Sequence, residues 1–339
     1  LGWRFGFVHI PESAKDNRRK GLRDVVREKA AHEEKPARHM RYGGLVFMLI
    51  LAGATALCER DEARAQQTSH ETEDANSQGS NEVQDAKEVG NDLTRPQNSI
   101  DLRFRNRESS GATSETNRYY WIARITSRIQ IDPDWKLSLL AQTDLEDKRT
   151  FTEGTPGSQE DFGFGNSIVQ AVLIRSLNER MAFGFGARLL APTASDDLGG
   201  GQWEIMPGFG VRYTFTELSS NTFFVPAMRY AISFAGSPAA RNISEPQIAP
   251  TFNIDLPGPW YLTLYPSYDI RINYGDPVSG QTGRLFLPAD LAVGYTLSDK
   301  IAMSLEVSVP IIKDYPVYDF KAEFRVVIKE PGALFRNRQ

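Results

Sequence analysis

The sequence predicts an all-β fold, an antiparallel up-and-down transmembrane β-barrel of about 12 strands. Three observations predict it. Apolar residues recur at every second position through segments that mostly run 9 residues or longer, and a tilted membrane strand needs about 9 to 11. The links between these segments alternate between short and long. Four tryptophans sit near segment starts, on the apolar face.

The chain of 339 residues carries a formal net charge of -4 and is 40% hydrophobic. No run of 18 or more apolar residues occurs, so no ordinary transmembrane helix is expected. Residues 40–65 read as a secretory signal peptide. Met40, Arg41 and Tyr42 precede the apolar run Gly43–Leu57, and Ala63-Arg64-Ala65 gives a small-x-small cleavage site. The alternative, a single membrane anchor, needs about 20 apolar residues. Residues 1–39 are highly charged and read as a mis-set start or a leader. Residues 66–97, rich in Gln, Asn, Ser, Asp and Glu, read as a disordered acidic and polar linker. The barrel is expected over 98–329, with a C-terminal tail at 330–339.

Taken in order, the strands follow from period two. Ile100, Leu102 and Phe104 alternate with charged residues in 98–106. Tyr119, Trp121, Ala123, Ile125 and Ile129 mark 118–131, and Leu137 and Leu139 mark 135–145. Segment 161–175 follows, then Phe183, Phe185, Ala187 and Leu189 in 181–192. Trp203, Ile205, Phe209, Val211 and Tyr213 mark 203–215. Segment 223–235 precedes Ile248, Phe252, Ile254 and Leu256 in 247–256. Leu262, Leu264, Tyr268, Ile270 and Ile272 mark 260–274. Segments 284–296, 301–309 and 317–329 close the series. No helical period competes. The links "DPD", "SLNER", "TELSSNT", "PGP" and "LSDK" are short. Those near 107–117, 146–160, 193–202, 236–246, 275–283 and 310–316 are mostly longer and rich in Gly, Ser, Pro and charge. Short turns on one side and long loops on the other are the outer-membrane pattern. Trp121 and Trp203 then belong at the outer interface, and Trp135 and Trp260 at the periplasmic one, where an indole finds both apolar surface and a partner for its N–H.

The opposite face is polar or small and becomes the lumen. Arg124, Arg128, Arg188, Glu204, Arg212, Asp269, Arg271, Asp290, Glu306, Glu323 and Arg325 are the candidate lining residues, and Arg175 and Lys321 fall on the same alternation. Two readings stand: paired charges that stiffen a narrow barrel, or a lining that selects solutes by charge and size. Gly163, Gly165, Gly184, Gly186, Gly208, Gly210 and Gly294 also face inward, which leaves room for a solute, for an opposing side chain or for curvature.

After His70 the chain has no His and no Cys. That excludes from the barrel a thiolate nucleophile, a histidine base and a His/Cys metal site. "GFGFGAR" and "DDLGGG" are followed by strands rather than helices, so neither suits a phosphate loop. Asp196-Asp197 lacks the staggered oxygens of a calcium loop. Asp269 and Asp290 could form a carboxylate pair, but nothing marks them as catalytic. No catalytic residue, cofactor or metal is expected, and the chain is not expected to be an enzyme.

The stretches "DFGFGNSIVQAVL", "LLAPTASDDLGGGQWEIMPGFGVRY", "RYAISFAG", "QIAPTFNIDLPGPWYLTLYPSYDI" and "LPADLAVGY" resemble the outer-membrane transporter family grouped with the meta-pathway of phenol degradation. The densest part runs from Leu190 to Gly208. Here "IMPGFG" stands where the family usually has Gly-Pro, and the C-terminus lacks a terminal aromatic residue unless Phe335 serves. The resemblance implies a barrel of transport function.

The expected function is therefore passage or binding of small solutes, aromatic or hydrophobic compounds among them, by passive diffusion in the outer membrane of a Gram-negative bacterium. The alternatives are a structural or adhesive barrel with a plugged lumen and, more distantly, an outer-membrane hydrolase. Expected partners are outer-membrane lipid, the barrel-assembly machinery and a small-molecule solute; no nucleic acid is expected.

Overall fold

The structure is a computed structural model that describes residues 94–332 apart from 112, 196 and 197. The leader, the signal segment, most of the linker, Asp196-Asp197 and the end of the tail lie outside the described residues.

Among the described residues fourteen strands form: β1 (Ser99–Ser110), β2 (Ser114–Gln130), β3 (Trp135–Thr152), β4 (Ser158–Phe164), β5 (Ser167–Ser176), β6 (Met181–Ala191), β7 (Gln202–Thr214), β8 (Phe223–Gly236), β9 (Ser244–Asp255), β10 (Trp260–Leu264), β11 (Ile270–Ile272), β12 (Leu285–Thr296), β13 (Ile301–Lys313) and β14 (Phe320–Lys329). Every pairing is antiparallel, most join chain neighbours, and β1 pairs with β14 to close the ring. Two staves are each built from two strands. β4 and β5 both pair with β3, and β10 and β11 both lie between β9 and β12. Fourteen strands thus make a closed barrel of twelve staves.

The two faces invert the arrangement of a soluble protein. Leu305 is 53% exposed on the outer surface, whereas its neighbour Glu306 is 5% exposed inside. Leu291, Val293, Val307, Val309 and Phe324 are likewise exposed, and Asp290, Ser308, Lys321 and Glu323 are buried. A surface of this kind suits lipid, and a polar interior suits a transmembrane barrel. Among the described residues no helix is long and apolar enough to cross a membrane.

The outward aromatics that touch one another fall toward the two ends of the barrel. Phe104, Tyr119, Trp121 and Phe162 touch one another toward the long-loop end. Trp135, Phe183 and Phe185, then Tyr213, Phe215, Phe252 and Phe224, then Trp260 and Tyr295 cluster toward the short-turn end. Nine residues separate Trp121 from the end of β2 at Gln130. That is about 30 Å along the strand and roughly 23 Å in height at a tilt of ~40°, close to the ~25 Å apolar band of such barrels.

Three details differ from the alternation read in the sequence. The links near 107–117 and 146–160 are not long loops. β1, β2, β3 and β4 run on through them as extended hairpins, with β1 ending at Ser110, β2 beginning at Ser114, and β3 and β4 separated only by 153–157. Second, segment 161–175 is broken at Gly165–Asn166, where the Gly165 N–H donates to the Asp144 carbonyl at 2.9 Å. The break moves the inward face from odd to even positions. Arg175 therefore lies outside, with its guanidinium 5.4 Å from the Trp135 ring centroid. Third, segment 260–274 is interrupted between Leu264 and Ile270. Tyr268, expected on the lipid face, packs inside against Phe223, Val225 and Ala227.

Two inward glycines make room for a neighbouring side chain. A Cβ at Gly294 would lie 1.8 Å from the Tyr261 Cζ, and one at Gly165 would lie 1.9 Å from an Asp144 oxygen. Tyr261 uses its space to donate its hydroxyl to the Met303 carbonyl at 3.2 Å. Gly294→Ala is expected to destabilise the barrel by about 1–3 kcal/mol through overpacking. Adding Tyr261→Ala should recover part of that loss. Urea midpoints of the refolded protein check both.

Candidate functional site

The interior of the barrel holds a cavity of about 430 Å³. Around it the side chains divide into two kinds of wall.

The first wall is built on the seam strands β1 and β14 with β12 and β13. Asp101 accepts hydrogen bonds from Arg103 at 2.6 Å and from Arg325 at 2.7 Å. Arg103 also donates to Glu323 at 2.9 Å, and Arg105 pairs with the same carboxylate. Next to this ladder, the Lys321 ammonium pairs with Asp269 and Glu306 and lies 3.5 Å from Asp290. The Tyr318 hydroxyl donates to Asp269 at 3.1 Å. Oxygens of Asp269, Asp290 and Glu306 lie within 4.8 Å of one another, a spacing that could hold a cation. The ammonium of Lys321 supplies that cation. Arg271 extends the network to Glu245 at 3.4 Å and Asp269 at 3.3 Å.

The second wall runs over β2, β3, β5, β6, β8 and β9, and its arginines are held differently. Arg124 donates to the Gln142 side-chain carbonyl at 2.8 Å, Arg188 to that of Gln170 at 2.9 Å, and Arg229 to that of Gln247. Each partner sits on a neighbouring strand, and each is neutral. The hydrogen bond fixes the guanidinium without cancelling its charge. Arg124 in addition forms a long ion pair with Asp101 at 3.8 Å, so Arg188 and Arg229 show the neutral pairing most fully. Among the described residues ten arginines and four carboxylates line the cavity, so its field is positive. Leu140, Ile168, Leu190, Met206 and Tyr268 give it apolar patches.

The candidates read from the sequence are distributed unevenly. Arg124, Arg188, Glu204, Asp269, Arg271 and Arg325 border the cavity. Asp290, Glu306 and Glu323 are buried in the seam network behind it. Arg212 is buried lower on β7, and Arg128 faces Ser138 near the short-turn end; neither borders the cavity. Asp101, Arg103 and Arg105 were legible as the charged half of the 98–106 alternation. Arg229, Glu245 and Gln247 could have been found by assigning faces to 223–235 and 247–256. Tyr268 carried no such signal.

The chain also enters the barrel from the linker side. Asn98 accepts from the Arg128 N–H at 2.8 Å and donates to Glu330 at 3.3 Å, beside the β1–β14 seam. Three residues earlier, Arg95 donates to the Ser220 carbonyl at 3.2 Å, in the turn between β7 and β8 across the ring. Residues 94–98 therefore span the short-turn end, and Arg95, Pro96 and Gln97 border the cavity. At the other end Asp319 ties the β13–β14 link to the tip of β1. Burial pushes its carboxyl up, but hydrogen bonds from Lys313 and Ser110 outweigh this and hold it below the ordinary range.

Removing the shared cation of the seam should be costly. Lys321→Met leaves three buried carboxylates without it, and a loss of about 3–5 kcal/mol is expected. The readout is a lower temperature for the folded-to-unfolded shift in gel mobility.

Residues 135–233, from β3 into β8, match the family model described as "Putative MetA-pathway of phenol degradation". The stretch Leu190–Gly208 lies inside that match. No significant match was found among curated proteins. Among solved structures, an outer membrane channel from Pseudomonas putida F1 superposes with a TM-score of 0.54 at 15% identity, covering 71% of this chain and 98% of that one. The beta domain of the Bordetella autotransporter BrkA gives a TM-score of 0.45 at 10% identity, over 69% of this chain and 99% of that one. From β3 into β8 the chain is thus similar to the family so described, and it shares the fold of the Pseudomonas putida channel.

Proposed function

We propose that this chain is an outer-membrane channel that lets small anions cross by passive diffusion. One observation carries the reading: the three Arg–Gln pairs that hold Arg124, Arg188 and Arg229 at the cavity with neutral partners. A barrel needing charge only for stiffness would match these guanidiniums with carboxylates, as the seam wall does. Arginines fixed by glutamine keep a positive potential facing the solute path, and low-dielectric walls strengthen it. No covalent step and no cofactor enter this mechanism. The signal segment would export the chain, and the barrel-assembly machinery would insert it. The short turns would then face the periplasm.

Leu140, Ile168, Leu190 and Met206 beside the arginines support solutes that carry apolar groups as well as charge. A second reading has one observation in its favour. The span of residues 94–98 across the short-turn end narrows the exit and supports a closed, structural barrel.

Planar bilayers separate the two. Under a KCl gradient at low salt, where screening is weak, the reversal potential should report chloride over potassium. Absence of conductance from correctly folded protein would overturn the reading. Changing Gln142, Gln170 and Gln247 to Glu gives each arginine a carboxylate partner. The chloride preference should then fall by about tenfold or more, equivalent to ~1.4 kcal/mol, or reverse.

A further inference from the structure

We propose that the recess beneath Tyr268 is a binding subsite for an organic carboxylate with a flat apolar body. The proposal rests on the anion-channel reading and names the solute class that reading leaves open.

The recess measures about 40 Å³ and opens from the main cavity, with which it shares Gln170, Arg188, Met206, Arg229 and Tyr268. It has room for a small charged head, whereas the cavity beside it has room for a ring. Arg188 on β6 and Arg229 on β8 flank it, each hydrogen-bonded to a glutamine. β7 passes between them and offers Gly208 and Met206. A Cβ at Gly208 would stand 2.8 Å from the Arg229 Cβ, so glycine there keeps this arginine in place. The Arg229 guanidinium lies 4.5 Å from the centroid of the Tyr268 ring.

Tyr268 is inside because the backbone has been turned inward at some cost. Tyr265 has φ +50°, a conformation that an L side chain rarely adopts. Several bonds hold the turn. The Tyr265 N–H donates to the Asp290 carbonyl at 2.9 Å, and the Thr251 hydroxyl donates to the Tyr265 carbonyl at 2.8 Å. The Ser267 hydroxyl donates to Glu306 at 2.9 Å. Through Glu306 the Lys321 network thus helps to hold an aromatic ring over the Arg229 guanidinium, beside Arg188.

This combination sorts ligands by chemistry. A carboxylate can take forked hydrogen bonds from a guanidinium. A flat apolar body covers the tyrosine face and the thioether of Met206. An inorganic anion uses the charge and leaves the ring and thioether wet. A neutral aromatic uses the ring and leaves both guanidiniums with neutral hydrogen-bond partners.

Titration calorimetry on the detergent-solubilised barrel tests this with benzoate, acetate, inorganic phosphate and benzyl alcohol. Benzoate should bind about tenfold or more tightly than acetate, and more tightly than phosphate or benzyl alcohol. Tyr268→Ala should remove the gap between benzoate and acetate, and Tyr268→Phe should keep it. Heat-modifiable gel mobility verifies that both variants fold. Equal binding of benzoate and acetate, or a gap that survives Tyr268→Ala, overturns the subsite. The two proposals fail separately. A bilayer without chloride preference removes the channel reading, while chloride preference without a benzoate gap removes the subsite alone.

Discussion

The barrel depends on the ion-pair ladder at its seam. A ring of antiparallel strands must join its first strand to its last, the pair farthest apart in sequence. Here the backbone register of β1 on β14 is reinforced from inside. Asp101 and Arg103 on β1 interlock with Glu323 and Arg325 on β14. Such groups carry a large desolvation cost, and each is viable only with its partners in place. A slip of one residue would carry every one of them to the lipid face. The ladder therefore acts as a register check on closure, and the Lys321 cluster extends that check to β12, β13 and the segment before β11.

The two walls follow from the same electrostatics with different partners. At the seam, charges of opposite sign are brought into contact and their fields cancel a short distance away. On the facing wall, a glutamine carbonyl replaces the carboxylate. A glutamine carbonyl holds a guanidinium through a weaker bond than a carboxylate does, but it leaves the long-range potential intact. One barrel can in this way be closed by its charges on one side and present them to a solute on the other. The choice of Gln rather than Glu opposite Arg124, Arg188 and Arg229 is what sets these three apart from the paired arginines of the seam.

Much of this was legible in the sequence. Period two gave the class, the strand positions and the side each residue faces, because a strand has only two faces. The charged halves of 98–106 and 317–329 already held the seam ladder. What was not legible is where the alternation breaks. Gly165–Asn166 and Tyr265–Asp269 interrupt staves that read as continuous, since a bulge or turn inserts residues without changing composition. Past the first break the faces exchange, which is why Arg175 was placed inside and lies outside. At the second, Tyr268 had the spacing of a lipid-facing residue, and only the tertiary bonds to Asp290, Thr251 and Glu306 show that the turn goes inward. The pairing of arginine with glutamine was also hidden, because it is a cross-strand relation that needs register as well as face.

The two breaks also say where a regular barrel gives way to a specific one. A barrel of twelve uninterrupted staves would present only what alternation allows, one side chain in every two at a fixed depth. Breaking a stave lets the chain leave the wall and place a group nearer the axis. At Gly165 the break brings the backbone close to Asp144, and a side chain there would collide with that carboxylate. At Tyr265 it lifts Tyr268 off the wall and sets it over Arg229. Positive φ at a residue with a side chain costs of order 1–3 kcal/mol. One of the bonds that hold this turn, from the Ser267 hydroxyl, ends on Glu306, an acid that Lys321 gathers. Contacts thus run from Lys321 through Glu306 to the turn that carries the tyrosine, and through Asp269 to the cavity wall, although neither Lys321 nor Glu306 borders the cavity.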